Sequence, residues 1–248
     1  MRTKSGLAFG ASIFALCLSA RAATYSGNGK VGFGGPIGQG SLTLTDDGTT
    51  VSGTVAKGAS GGFNDVLVLY VDSVPGGFSS TAVFDDGGDP LRKAISGFDG
   101  GANRSELTMT AGFQADYAIA LGPASDSYGG LWQLFNGGGN NSFGFIGSVN
   151  LNPTGNNSSS SYTFSFDVSQ IGLSPNSGQS IRLLGTYISN TGFRSDEALP
   201  GNVSGASQGW TLFAGTGDVS YTIVPEPSTG LLFGLAALAA VCCRRRRN

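Results

Sequence analysis

This 248-residue chain contains no histidine, so its ionisable chemistry rests on carboxylates, Lys, Arg and Tyr. Without imidazole, a Ser-His-Asp triad, a Cys-His dyad and a His-ligated zinc or haem are excluded. Asp85, Asp86 and Asp89 lie in a DDGGD segment, and three oxygen donors so close together suit a hard cation such as Ca²⁺. The segment lacks the spacing of an EF-hand loop, and Asp-Gly pairs are also common in turns. We therefore predict no obligatory cofactor, and calcium at these residues is the metal hypothesis.

Carboxylates could also support glycoside hydrolysis, which needs an acid and a base or nucleophile at a fixed separation. Glu106 and Glu197 are the two glutamates of the central part of the chain. The sequence places neither of them beside an aspartate across a cleft, and solvated carboxylates on loops or strand edges are the commoner case. We predict that the protein is not an enzyme, and keep a carboxylate-based glycosidase as an alternative.

Aromatic rings at the surface could bind the apolar face of a sugar, while Asn, Asp or Arg side chains bind its hydroxyl groups. The candidates are large aromatic residues and one cation beside them: Trp132, Tyr187, Phe193, Arg194 and Trp210. Two competing interpretations stay open. The tryptophans could lie in the core, and Arg194 could form a structural ion pair with Asp196 or Glu197.

The composition indicates which elements must position these residues. The chain has 42 glycines, more than twice the average usage of about 7%, and each glycine inside a helix would cost about 1 kcal/mol. Apolar residues instead alternate with period two or form short runs, as in SLTLT at 41–45 and VLVLYV at 66–71. These segments predict an all-β fold, an antiparallel β-sandwich of jelly-roll type. We also expect a hairpin at 46–48 and short helical turns at 90–95 and 168–173.

The first 22 residues have the pattern of a secretory signal peptide. A basic start with Arg2 and Lys4 precedes an apolar run at 6–18, and Ala20-Arg21-Ala22 is a small-x-small cleavage site. The apolar run is shorter than the roughly 20 residues that span a bilayer. We predict an N-terminal signal helix at 1–22 that is removed, against the competing interpretation of a buried N-terminal helix.

The C-terminus has three parts. A Pro-Glu-Pro motif (Pro225, Glu226 and Pro227) precedes a 16-residue apolar segment at 228–243. As a helix this segment would reach about 24 Å, and snorkelling arginines could close the gap to the roughly 30 Å bilayer core. The last part is a membrane stop of four cations that should stay cytoplasmic: Arg244, Arg245, Arg246 and Arg247. We predict a transmembrane helix at 228–243, because a helix packed inside the domain would not end in bare arginines.

This order of motif, apolar helix and arginine cluster closely resembles the PEP-CTERM sorting signal of Gram-negative bacteria that make extracellular polysaccharide. The resemblance implies that residues 224–248 are read by an exosortase, a membrane transpeptidase-like enzyme that cuts near the motif. Pro225, Glu226 and Pro227 would then be recognition residues rather than catalytic ones. The protein would be held in the inner membrane by its C-terminal helix before processing, and would afterwards lie at the cell surface or in the extracellular matrix.

Residues 23–223 form the predicted extracellular domain. Counted to residue 224, the exported part carries seven basic and fifteen acidic residues, a net charge near −8, and no cysteine. Proteins that bind nucleic acid concentrate Lys and Arg, whereas this domain is acidic. We therefore predict no nucleic acid as a partner. We expect a structural or glycan-contacting role, with extracellular polysaccharide as the partner and a carbohydrate-binding module as the alternative.

The middle of the chain carries a second resemblance, over about residues 61–221. The succession VLVLYVDSVPGGF, FQADYAIALGP, GLWQLF, SYTFSFDVSQIGL and LLGTYISNTGFRSDEA resembles the sandwich domains related to the glucodextranase C-terminal module and to DOMON-like domains. That resemblance implies an extracellular β-sandwich with a carbohydrate or haem ligand. Haem is disfavoured, because Met109 is the only soft axial ligand of the domain.

Overall fold

The protein is described by a computed structural model that covers residues 21–123, 128–135, 139–154 and 156–225. Strands dominate these ranges, and helical structure is limited to α1 (Pro90–Ser96) and two 3-10 turns, Thr81–Val83 and Val168–Ile171. The strands are β1 (Arg21–Ser26), β2 (Ser41–Asp46), β3 (Thr50–Ala56), β4 (Val66–Asp72), β5 (Glu106–Thr108), β6 (Tyr117–Gly122), β7 (Tyr128–Gln133), β8 (Gly144–Val149), β9 (Ser161–Asp167), β10 (Ser180–Ile188), β11 (Arg194–Ala198), β12 (Asn202–Ser204), β13 (Gln208–Gly209), β14 (Leu212–Gly217) and β15 (Val219–Thr222).

One sheet has four antiparallel strands in the order β1-β2-β3-β9. Successive side chains of a strand point to opposite faces, and in β2 the buried face consists of Leu42, Leu44 and Asp46. The strand therefore ends with a carboxylate on its inner face. The predicted hairpin is confirmed, since residues 47–49 connect β2 directly to β3.

A larger sheet has the order β13-β11-β10-β4-β6-β7-β8, with β15 also paired to β10. The long strand β10 pairs along one side with β4. Its other side is shared, because β15 pairs with Ser180–Leu183 whereas β11 pairs near Thr186 and Ile188. At about 3.4 Å per residue, the first and last residues of β10 lie about 27 Å apart. This strand therefore defines two opposite ends of the domain.

The larger sheet is buried on both faces. In β4, Leu67, Leu69 and Val71 enter a core shared with the four-stranded sheet. The alternate residues, from Val66 to Tyr70, enter a second core that also contains residues of α1, β5, β12 and β14. The predicted buried strand at 66–71 is confirmed, and its unbroken apolar run reflects burial on both sides.

The prediction of a mostly β fold with antiparallel sheets is confirmed, but the structure adds a layer that the sandwich prediction lacked. A three-stranded sheet, β12-β14-β5, packs with α1 against the second face, and its β5–β14 pair is parallel. The helical turns predicted at 90–95 and 168–173 are both present. Asp89 caps α1 by accepting from the Arg92 amide, and Gly97, with a φ of 68°, ends it. The jelly-roll connection stays a prediction.

Candidate functional site

Glu197 organises one end of the domain, which we name the loop pole: the end of β10 at Ile188 with the glycine loop, residues 27–40. Glu197 lies on β11 and is fully buried. Its two carboxylate oxygens accept hydrogen bonds of 2.7 to 3.1 Å from four amides of the glycine loop, those of Phe33, Gly35, Ile37 and Gly38. Charge-assisted bonds of this kind are the strong ones, so one side chain fixes the conformation of the whole loop.

The glycine content of the loop has a steric cause. Gly34 and Gly35 have φ values of +100° and +88°, which side chains with a Cβ rarely adopt. An ideal Cβ on Gly27 would lie 2.4 Å from the carbonyl oxygen of Gly38, and one on Gly38 would lie 2.1 Å from that of Lys30. The loop can fold around the carboxylate because its backbone segments touch without side chains between them.

The loop completes a row of aromatic rings, which we name the aromatic patch: Phe33, Phe193 and Trp210. Phe33 stacks on Phe193 with ring centroids 6.1 Å apart and planes 9° apart. Phe193 meets Trp210 edge to face at 5.6 Å. The buried Tyr187 lies behind Phe33 at 5.8 Å. All three rings of the patch are half-buried, so each presents part of its surface to solvent.

Acidic groups surround the base of the loop. Burial raises the pKa of Asp65, and the nearby charge of Glu197 raises it further. Burial also raises the pKa of Asp196, although the amide of Gly32, 3.1 Å from its Oδ1, acts in the opposite direction. This region therefore holds more negative charge than its burial favours, and the glycine loop donates four amides to Glu197 but only that of Gly32 to Asp196.

The structure brings together two of the five predicted sugar-binding residues, Phe193 and Trp210. The other three are buried, with exposures of 3% for Trp132, 1% for Tyr187 and 0% for Arg194. Buried side chains cannot contact a ligand at the surface, so the predicted ligand contact is withdrawn for these three residues. Trp132 lies in the second core, because β7 belongs to the sheet that is covered on both faces, and the competing interpretation of a core tryptophan holds for this residue.

Arg194 also does not form the predicted ion pair. Its Nη1 donates to the Thr186 hydroxyl, while Nε and Nη2 have no hydrogen-bond partner among the described residues. Glu197 is occupied by the loop amides, and Asp196 accepts from Gly32. The acids next to Arg194 in sequence are thus used by a loop that is distant in sequence.

Sequence reasoning missed Phe33, the residue that joins the patch. It lies in a GFGG segment without strand periodicity. The available signal was a large aromatic side chain between glycines, outside any predicted strand.

The side chains predicted to bind calcium instead accept hydrogen bonds or form ion pairs within the protein. Asp86 is fully buried, and its Oδ2 accepts from Arg92 Nη1 at 2.7 Å and from the Phe143 amide at 2.8 Å. Its Oδ1 accepts from the amides of Asn141 and Gly88. Burial alone would raise the pKa of Asp86, but these donors outweigh it and lower the pKa.

Asp85 and Asp89 have separate partners. Asp85 pairs with Arg104 at 2.5 Å, and Asp89 pairs with Arg92 at 2.9 Å while it caps α1. The three aspartates therefore do not assemble into a common oxygen cage. Across the described ranges, no group of three acidic or cysteine side chains is placed to hold a metal ion.

Asp46 organises the opposite end of the domain, which we name the exit pole because the chain leaves the domain there. Asp46 is 4% exposed. Its Oδ1 accepts from the amides of Val224 at 2.8 Å and Gly48 at 2.9 Å, and its Oδ2 accepts from the Tyr221 hydroxyl. Arg21, the first residue of β1, is the register partner of Asp46. The predicted signal-peptide boundary at Ala22 and the end of β15 therefore lie at the same pole.

The C-terminal predictions fall mainly outside the described residues. Pro225 is the last residue that the structure describes. Glu226, Pro227, the apolar segment at 228–243 and the arginines at 244–247 lie beyond it. Within the described part of the chain, no helix has the length and apolar character needed to cross a membrane.

The comparison with protein families identifies the class of this protein through its C-terminus. The family model described as the PEP-CTERM protein-sorting motif matches residues 224–247. The chain is thus an exported protein with a surface-sorting signal of the kind that exosortase recognises. No curated protein and no solved structure matches the chain, so the resemblance of the middle region to glucodextranase and DOMON-like domains stays a prediction.

Proposed function

We propose that this protein is a non-enzymatic component of the cell surface or the exopolysaccharide matrix, and that its aromatic patch contacts extracellular polysaccharide. Exosortase sorts it from the inner membrane, where the apolar segment at 228–243 anchors the precursor. The observation that carries the polysaccharide contact is the stacked, half-buried pair Phe33 and Phe193 with Trp210 beside it.

The geometry of the patch suits a sugar ring. Aromatic faces pack against the apolar C–H face of a pyranose, and a rigid platform loses little conformational entropy when a ligand binds. Glu197 supplies the rigidity, since it fixes the loop that carries Phe33. The net charge near −8 favours a neutral or cationic glycan over an acidic one.

The position of the patch fits the sorted state. The patch lies at the Ile188 end of β10, whereas β15 leads to the sorting motif from the Ser180 end, about 27 Å away. A domain held at a membrane or surface by its C-terminus would therefore present the aromatic patch on the far side.

The hydrogen bonds that Glu197 and Glu106 already accept favour a binding role over glycoside hydrolysis. A glycosidase needs one carboxyl group free to donate a proton and another free to attack or activate water. Both oxygens of Glu197 already accept two amide hydrogens each, and Glu106 accepts from Ser80. We therefore keep the glycosidase only as an outcome that an activity screen would reveal, through release of reducing ends from a glycan.

Affinity electrophoresis of the mature protein tests the patch. Gels containing a neutral glucan, xylan or chitosan should retard the wild-type protein in at least one case. Trp210→Ala should weaken that interaction about fivefold, since one aromatic contact contributes about 1 kcal/mol beyond its area. Phe145→Leu is the matched control, because Phe145 is 52% exposed on β8, outside the patch. Equal retardation of wild type and Trp210→Ala, or none on any glycan, would refute the proposed contact.

The sorting part has its own test. A chain that ends after Val224 lacks all but the first residue of the motif and should fail to be retained at the cell surface. Surface retention of that shortened chain at the wild-type level would contradict sorting through the C-terminal signal.

A further inference from the structure

The exit pole holds the chain up to the first residue of the sorting motif. The match to that motif begins at residue 224, and the amide of Val224 is bound to the buried carboxylate of Asp46 at 2.8 Å. One residue earlier, the amide of Ile223 donates to the carbonyl oxygen of Gln179 at 2.9 Å. The folded domain and the sorting motif therefore meet without a spacer.

The residues before the motif are part of the core. Tyr221 and Ile223 are 1% and 0% exposed and belong to the first core. The Tyr221 hydroxyl donates to Asp46, so that one carboxylate binds both a core side chain and the departing backbone. Pro225 lies close to Gly178, because an ideal Cβ built on Gly178 would be 3.3 Å from the Cβ of Pro225. Detaching Val224 would mean breaking a part-buried hydrogen bond beside the core.

We propose that Asp46 is a positioning residue for sorting: together with Tyr221 it holds the amide of Val224, and so limits exosortase to peptide bonds that follow Val224. This inference rests on the proposed sorting function. An enzyme that cleaves a peptide must bind it in an extended, detached form, and a segment held in the fold is available only in proportion to its open population.

The cleavage step follows from this limit. The peptide bond that breaks lies after Val224, so its acyl carbon belongs to Val224 or a later residue. That carbon passes to water or to an amine acceptor, and the amine of the next residue leaves with the C-terminal fragment. The mature protein then keeps β15 and both of its core residues, and the fold survives processing unchanged.

The experiment compares the full-length chain with Asp46→Asn in cells that contain the exosortase, followed by intact-mass measurement of the mature protein. The wild type should have one dominant C-terminus, at Val224 or later, and only a minor population of earlier ones. In Asp46→Asn, termini before Val224 should increase about tenfold, because a hydrogen bond to a charged acceptor sets the open population by about that factor. Asp47→Asn is the matched control, since Asp47 is exposed and bonds only to Thr49 and Thr50 among the described contacts.

Hydrogen exchange separates the positioning role from general stability. The amide of Val224 in the full-length chain should exchange about tenfold faster in Asp46→Asn, while the amides of β4 keep their wild-type rates. Tyr221→Phe is the second variant if Asp46→Asn does not fold, and it should shift cleavage in the same direction. A dominant wild-type terminus before Val224, or unchanged Val224 exchange in both variants, would overturn the proposal.

Cells without the exosortase distinguish sorting by this enzyme from the positioning role of Asp46. If they yield the same mature terminus as cells with it, sorting by this enzyme is wrong, whereas the exchange rate of Val224 still decides whether Asp46 holds the exit.

Discussion

The two poles of the domain are each organised by one buried carboxylate, and they differ in what that carboxylate holds. At the loop pole, Glu197 accepts four amides from a single contiguous loop. At the exit pole, Asp46 joins a hairpin turn at Gly48, the core side chain of Tyr221 and the amide of Val224. The first arrangement shapes a surface, and the second fixes the point at which the chain leaves the fold.

This difference shows how a chain with few charged residues can use them. Buried carboxylates are costly unless hydrogen bonds satisfy them, and both poles satisfy them mainly with backbone N–H groups rather than with cations. Backbone donors come from whichever segment can approach closely, so glycine-rich loops and strand ends become partners. The comparison can be tested at each pole separately.

The largest effect is expected at Glu197. Glu197→Gln replaces one acceptor oxygen with an NH₂ group, which would face loop amides that also donate. Leaving buried donors unsatisfied costs about 1–3 kcal/mol each, so we expect the free energy of unfolding to fall by about 3 kcal/mol or more. Denaturant unfolding of the mature protein measures this loss.

Glu106→Gln is the control for that experiment. Glu106 is half-buried and accepts from the Ser80 hydroxyl at 3.2 Å, so its replacement should change the free energy of unfolding by less than about 1 kcal/mol. If the two variants lost equal stability, the loop would not depend on Glu197 and the contrast between the poles would fail.

A smaller effect is expected from the backbone of the glycine loop. Gly38→Ala would place a Cβ 2.1 Å from the carbonyl oxygen of Lys30, which forces the loop to shift and should cost about 1–3 kcal/mol. Gly217→Ala is the matched control, because the nearest atom to its Cβ is the Asn202 Cβ at 3.9 Å. Thermal melting and proteolysis of the loop should distinguish the variants, and equal melting temperatures would contradict the close packing of the loop.

The sequence was sufficient for the local elements and insufficient for the site. Period-two runs predicted strands, and an Asp-Gly turn predicted the β2–β3 hairpin, because these features depend on neighbouring residues. The third layer was missed since an unbroken apolar strand has the same pattern whichever layers cover it. Phe33 and Phe193 are 160 positions apart, and their stacking depends on a loop that Glu197 captures across the fold. No local pattern encodes that contact.

The smallest predicted effect comes from the pKa values of two aspartates, which shift in opposite directions at the two poles. Burial raises the pKa of Asp65 at the loop pole. At the exit pole, bonds from the Thr49 side chain and from the amides of Thr50 and Thr49 lower the pKa of Asp47 to about 2. For Asp65, the contribution to stability is complete below the unfolded value of about 3.9 and is lost as pH rises through the raised pKa. For Asp47, the contribution is present above about 3.9 and is lost as pH falls towards 2.

A ¹³C NMR titration of the aspartate carboxyl groups should therefore show Asp65 protonating before Asp47 as the pH falls. Asp65→Asn removes a like charge beside Glu197, so it should raise the melting temperature at pH 7 by about 1–2 °C and flatten its pH dependence above the unfolded pKa of about 3.9. Asp47→Asn should lower the melting temperature by a similar amount, because the amide accepts the turn hydrogen bonds more weakly. A lower melting temperature for Asp65→Asn at pH 7 would mean that the charge of Asp65 supports the loop pole. An ionised aspartate would then stabilise each of the two poles, and the poles would not differ in this respect.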